Sequence, residues 1–168
     1  NEINTCISIS AADELSSIGL QSKRALSCVK QLCELLNVSD KLQVNITSLI
    51  PEHVGLGSGT QMSLAVGMAL STYYDLGLQV RDIAVLTSRG ARSGIGIATF
   101  EQGGLVVDGG RGEKTLTPPV ISQMKVPEEW RFILVFDNAD QGLHGADEIK
   151  AFKELPQFSS QEAARLCY

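Results

Sequence analysis

The join "IPEHVGLGSGTQMSLAVGMAL", Ile50 to Leu70, sets three glycines into five positions and then runs at once into small and apolar residues at helical spacing. Glycine enters left-handed backbone conformations at no steric cost and lets another group come close to the main chain. The sequence therefore predicts a tight strand-to-helix turn whose amide groups point outward at the positive end of a helix dipole. An anion, above all phosphate, is the expected guest of such a turn. Thirteen of the sixteen glycines lie between Gly55 and Gly112, so the functional surface is expected in that stretch.

The flanking patterns frame this turn. Ile3, Thr5, Ile7 and Ile9 alternate with Asn4, Cys6, Ser8 and Ser10 as in a half-buried strand. Leu26, Val29, Leu32, Cys33 and Leu36 recur at helical steps, which predicts a helix over Ser22 to Leu36 that stops at Asn37. Leu42, Val44 and Ile46 oppose Gln43, Asn45 and Thr47, a strand polar on one face in an antiparallel or mixed sheet covered on one side. A helix is then predicted from about Thr60 to Tyr74 with Leu64, Ala65, Met68 and Ala69 as its packing stripe, followed by a shorter one over "VRDIAVLTSRG" that Gly90 ends. "GLVVDGG" and "WRFILVF" read as strands, the second buried on both faces or in the sheet centre. A helix from His144 to Glu154 and another near Ser159, where "SSQE" has the form of a capping box, complete the reading.

With 168 residues and 43% hydrophobic content the chain can bury one sizeable core. Fourteen Lys and Arg against nineteen Asp and Glu give a net charge of -5 without a basic stripe, which excludes nucleic acid as a partner. "FILVF" is far shorter than the ~20 apolar residues of a membrane span; no membrane partner and a cytoplasmic location are expected. Cys6, Cys28, Cys33 and Cys167 form no CxxC pair, so they are expected to be buried reduced thiols. The chain opens in a strand pattern and stops in a helical one, as a fragment of a longer protein would.

Of two familiar phosphate loops, one is excluded by the letters and the other matches weakly. A Walker loop needs a lysine, and none occurs between Lys41 and Lys114. A dinucleotide fingerprint would put Thr60 where its last glycine or alanine belongs, after too long a turn. A third pattern fits: Pro51, Gly55, Leu56, Gly57 and Ser58 match the P-x-x-x-G-L-G-S-S-A motif of the GHMP kinase superfamily, with Gly59 and Thr60 departing from it. "RSGIGIATFEQGGLVVDGG" resembles the superfamily's S-G-x-D...G-G segment through Ser93, Gly94, Gly103 and Gly104, with Gly96 where the catalytic aspartate belongs. The combined strings resemble a non-kinase branch, the beta-ribofuranosylaminobenzene 5'-phosphate synthases, over roughly Leu42 to Leu155.

The resemblance implies an α+β fold of the GHMP N-terminal type, like ribosomal protein S5 domain 2, with a mixed sheet backed by helices. It implies a domain over residues 1–155 that lacks its first strands and the start of a second domain over 156–168. It further implies decarboxylating phosphoribosyl transfer from phosphoribosyl pyrophosphate to 4-aminobenzoate or 4-hydroxybenzoate in methanopterin biosynthesis, with Mg2+ held through the pyrophosphate. Small molecules are the expected partners, and a homodimer is the assembly considered. The alternatives are an ATP-dependent small-molecule kinase and a non-catalytic phosphate-binding domain.

For a donor with two phosphate groups, Gly55, Leu56, Gly57, Ser58, Gly59 and Thr60 offer an amide cradle, and Arg89, Arg92, Ser93 and Gly94 offer guanidinium forks and a second glycine segment. Departure of pyrophosphate leaves an oxocarbenium-like carbon that the aromatic ring attacks, so no protein nucleophile is required. His53, Glu101 and Asp108 are the candidates for a base at the para substituent. Each also has a plainer role: His53 as a loop brace, Glu101 as a solvated helix carboxylate, Asp108 as a turn former. His144, Asp147 and Glu148 suit a helix start, and Arg111 and Lys114 suit a solvated surface.

Overall fold

The computed structural model describes residues 3–20, 22–112, 114–136, 145–156 and 159–166. Tertiary contacts divide the chain into Asn1–Val135 and Phe136–Tyr168. The first unit runs β1 (Cys6–Ala11), β2 (Ser16–Gly19), α1 (Ser22–Leu36), β3 (Leu42–Ser48), α2 (Ser58–Tyr73), α3 (Val80–Leu86), α4 (Ile95–Gln102), β4 (Leu105–Asp108) and β5 (Val120–Met124).

The alternation in residues 42–47 places β3 at the centre of a three-stranded sheet ordered β1-β3-β2, with Leu42, Val44 and Ile46 buried. β1 pairs antiparallel with β3, Ile9 opposite Val44, and β2 pairs parallel with it, Ser17 opposite Val44. The sheet is therefore mixed. Its buried face meets Ala25, Val29, Leu32 and Cys33 of α1 and Met62, Val66 and Leu70 of α2 in one cluster. A second cluster joins Leu64 of α2 to Ile83 and Ala84 of α3 and Ile97 of α4. α2 is thus packed on two sides, which corrects the single stripe expected from Leu64, Ala65, Met68 and Ala69: Ala65, Met68 and Ala69 are only half-buried. A β-carbon on Gly67 would run into the Ile83 side chain, so glycine there permits the close approach of α2 and α3.

Other expectations are also corrected. The helix expected to reach Gly90 ends at Leu86, because Ser88 takes a left-handed conformation (φ 53°). α4, half of whose residues are Gly96 and the β-branched Ile95, Ile97 and Thr99, has no strong helical signal in sequence. β4 pairs antiparallel with β5, a strand the sequence reading did not include, and the strand expected over "WRFILVF" is not formed. That segment is irregular and exposed at Phe132, Ile133 and Val135. An apolar run becomes a buried strand only where a ladder partner and a covering layer meet it, and among the described residues it has neither.

The second unit contains α5 (Gly145–Glu154) and α6 (Ser160–Leu166). The capping box is formed: the Ser159 amide donates to Glu162 Oε2 at 3.0 Å, and the Glu162 amide donates to Ser159 Oγ at 3.2 Å. His144 and Cys167 lie outside the described residues. Among the described residues no helix is long and apolar enough to cross a membrane.

Candidate active site

The loop from β3 into α2 takes left-handed conformations at His53 (φ 58°), Gly55 (φ 81°) and Gly57 (φ 66°). No heavy atom lies within 4 Å of where a β-carbon would stand on Gly55 or Gly57, so both glycines border open space. Gly57 is the N-cap of α2, and its carbonyl accepts from the amides of Thr60 at 3.0 Å and Gln61 at 3.1 Å. A left-handed cap residue without a side chain gives α2 no side-chain acceptor at the positive end of its dipole.

Across from this loop runs the segment between α3 and α4. Gly55, Leu56, Gly57, Thr60 and Gln61 form one wall of a cleft of about 590 Å³, and Ser88 to Ser93 with Ile95, Gly96 and Thr99 form the other. Gln61 Nε2 donates to the Gly96 carbonyl at 2.9 Å and ties the walls together. A β-carbon on Gly96 would meet the Thr60 γ-methyl at 3.4 Å, an ordinary contact. Two guanidinium groups, Arg89 and Arg92, line the cleft, and no carboxylate does among the described residues.

The sequence candidates divide accordingly. Gly55, Leu56, Gly57, Thr60, Arg89, Arg92 and Ser93 come together in the cleft. Ser58 is buried, and Gly59 faces a separate cavity. Gly94 is needed for packing: a β-carbon there would stand 2.5 Å from the Pro118 carbonyl oxygen.

None of the three proposed bases lines the cleft. Asp108 Oδ2 accepts from Ser93 Oγ at 2.7 Å and the Gly94 amide at 2.8 Å, while Oδ1 accepts from the Gly110 amide at 3.1 Å. Burial raises the Asp108 pKa, but the donors Ser93, Gly110, Gly94 and Ile95 outweigh it and hold the carboxyl below its usual value. A carboxylate so occupied anchors the second glycine segment and is a poor proton acceptor. Glu101, in the last turn of α4, faces Arg81 Nε at 3.7 Å. His53 is half-buried in the loop itself.

Sequence reasoning passed over Arg24. This residue, in the first turn of α1, pairs with Glu52 of the glycine loop, and its Nη2 lies 2.7 Å from the place a β-carbon would take on Gly59. The available signal was "SKR" at a helix start, where basic residues oppose the dipole and so invite another explanation. Cys28 on the same helix is held above the ordinary thiol pKa, chiefly by burial, which makes it unreactive.

Residues 23–104 match the family described as the GHMP kinases N terminal domain. Three archaeal proteins named beta-ribofuranosylphenol 5'-phosphate synthase are similar to the chain. The one from Methanothermobacter thermautotrophicus is 30% identical over 86% of this chain and 48% of its own length. That from Archaeoglobus fulgidus is 37% identical over 75% and 44%, and that from Methanocaldococcus jannaschii 34% over 76% and 43%. The chain spans less than half the length of each of these relatives.

Proposed function

We propose, from the premise that the chain carries a GHMP-type N-terminal domain, that it supplies the donor-binding part of a riboside 5'-phosphate synthase. The reaction is phosphoribosyl transfer from phosphoribosyl pyrophosphate to a para-substituted benzoate with loss of CO2, a step of methanopterin biosynthesis. The phenol in the names of its relatives favours 4-hydroxybenzoate over 4-aminobenzoate.

One observation carries this reading: the cleft joins a glycine-built helix start to Arg89 and Arg92, and no carboxylate lines it among the described residues. Such a lining attracts a polyanion. It lacks the acidic base that phosphoryl transfer to a hydroxyl calls for, and Gly96 stands where the resemblance would put one.

The chemistry closes without a protein nucleophile or a net proton. The bond from the ribose anomeric carbon to the pyrophosphate oxygen breaks, and its electron pair leaves with pyrophosphate. The ring carbon bearing the carboxylate then bonds to the anomeric carbon, and the pair from the broken carbon-carboxylate bond restores aromaticity as CO2 departs. The loop amides and the two guanidinium groups serve by stabilising the charge that grows on the leaving group. We place Mg2+ with the oxygens of the donor's pyrophosphate, where it would offset their charge, because the described lining offers it only neutral oxygens, those of hydroxyl groups, the main chain and the Gln61 amide. Among the described residues no group of three His, Cys, Asp or Glu comes together as a metal site.

The full-length protein, given phosphoribosyl pyrophosphate and carboxyl-labelled 4-hydroxybenzoate, is expected to release labelled CO2. Phosphorylation of a small alcohol by ATP in place of that release would overturn the proposal in favour of a kinase, and binding without turnover would favour a non-catalytic domain.

A further inference from the structure

A second cavity, of about 150 Å³, opens on the α1 side of the first turn of α2. Its size is well below the ~300–1,000 Å³ of sites that bury a whole drug-sized ligand, but it suits one compact charged group. Arg24, Ser27, Cys28 and Gln31 reach it from α1, and Gly59 and Arg89 from across it. The spacing 24, 27, 28, 31 is one face of a helix. Arg24 Nη2 and Arg89 Nη1 converge on Gly59, at 2.7 and 3.7 Å from where its β-carbon would be.

Like charges brought this close repel unless an anion lies between them. Burial, and after it the charge on Arg89, lowers the Arg24 pKa. Glu52 neutralises one of the two guanidinium groups. Among the described residues no carboxylate lies within ion-pair distance of Arg89, and none hydrogen-bonds the Ser27 hydroxyl or the Gln31 amide. Among the described residues the cavity thus keeps one net positive charge, with two exposed neutral donors, Ser27 and Gln31, and the start of α2 on its lining. Arg89 also lines the glycine cleft, so the two spaces adjoin.

We propose that Arg24, Arg89, Ser27 and Gln31 form a second phosphate subsite, which takes the phosphomonoester end of a sugar ligand whose diphosphate end lies in the glycine cleft. The inference rests on the donor proposed above and divides its two phosphate groups between two cavities. Arg24 is held by Glu52 before the ligand arrives, and the phosphomonoester competes for it.

Calorimetric titration of the full-length protein with ribose 5-phosphate and with inorganic pyrophosphate tests this. Arg24→Ala is expected to weaken ribose 5-phosphate at least tenfold and pyrophosphate less than threefold. Glu52→Gln, which removes the competing carboxylate, is expected to tighten ribose 5-phosphate. If Arg24→Ala does not fold, Gly59→Ala gives the same selective loss by placing a methyl group against the guanidinium without removing its charge. Equal loss of both ligands, no loss of either, or weaker ribose 5-phosphate binding in Glu52→Gln would overturn the subsite. Selective loss in a protein that releases no CO2 from the donor and 4-hydroxybenzoate upholds the subsite and removes the synthase reading; CO2 release without selective loss does the reverse.

Discussion

Gln61 Nε2 donates to the main-chain oxygen of Gly96 at 2.9 Å, so one side chain of the glycine-loop helix fixes its distance from the helix across the cleft. The same oxygen accepts from Thr99 Oγ1 at 3.3 Å within α4, a longer contact. Gln61→Leu keeps the helical propensity and much of the volume while removing the donor. It is expected to cost about 1 kcal/mol of stability, the net worth of a typical hydrogen bond, and to weaken donor binding as the walls lose their spacing. Denaturant unfolding with calorimetric titration of the full-length protein reads both; unchanged donor affinity would separate this bond from ligand binding.

Gly57→Val addresses the loop. The residue is left-handed at φ 66°, and its missing side chain borders open space. Valine there carries about 1–2 kcal/mol of backbone strain and projects two methyl groups toward the expected phosphate position. Phosphoribosyl pyrophosphate affinity is expected to fall more than tenfold with the fold retained. A variant that is folded by circular dichroism and binds the donor as the parent does would exclude the loop as the phosphate cradle.

Asp108 predicts a pH dependence. Its carboxyl is held below the unfolded value of about 3.9 against the opposing effect of burial. Its stabilisation is therefore fully present above pH ~4 and lost as pH falls through the lower folded value. Asp108→Asn keeps one acceptor oxygen and loses the charge, at an expected cost of about 1–3 kcal/mol near neutrality. The gap between parent and variant should narrow at acidic pH, and equal gaps by urea unfolding at pH 7 and pH 3 would refute the anchoring role.

What the sequence discloses here follows the range of the forces involved. α1 and β3 could be read with their bounds nearly as observed, because each buries one periodic face: Val29, Leu32 and Cys33 in one, Leu42, Val44 and Ile46 in the other. The alternation in β3 left an antiparallel or a mixed sheet open, and the sheet is mixed; the expectation of a GHMP-type fold came from the resemblance carried by the glycine motifs, and residues 23–104 match that family. β2 was not, since Ser16–Gly19 is a four-residue edge strand whose pairing with β3 comes from residues 27 positions on. "WRFILVF" misled because an apolar run states a wish for burial and not the presence of a partner. At the site, local backbone chemistry marked the glycine loop, whereas Arg24 meets Gly59 across 35 positions of chain and leaves only the faint sign of a cation at a helix start. Residue type alone left Asp108 open as a base or a turn former, and its hydrogen bonds from Ser93 and Gly94, 15 and 14 positions back, could not be read from the letters.

Gly96→Asp tests the loss of kinase chemistry most directly. A β-carbon at this position has ordinary space, with its nearest neighbour the Thr60 γ-methyl at 3.4 Å, so the substitution adds charge to the cleft without a backbone clash. In a kinase of the superfamily the resemblance puts a catalytic aspartate here, where its charge helps a substrate hydroxyl lose a proton. In the proposed synthase the neighbouring group is a departing pyrophosphate, and a carboxylate beside it is repelled by a few kcal/mol at ~4 Å in a partly dry site. Each 1.36 kcal/mol is a tenfold change in rate, so turnover or donor affinity is expected to fall at least tenfold, measured as labelled CO2 release by the full-length protein. No kinase activity should appear in exchange, because Gly59 supplies no hydroxyl and the group nearest to where its side chain would start is the cationic Arg24 guanidinium, not a metal ligand. A Gly96→Asp protein that releases CO2 at the parent rate would mean that the leaving group does not approach α4, and the placement of the pyrophosphate in this cleft would fall with it.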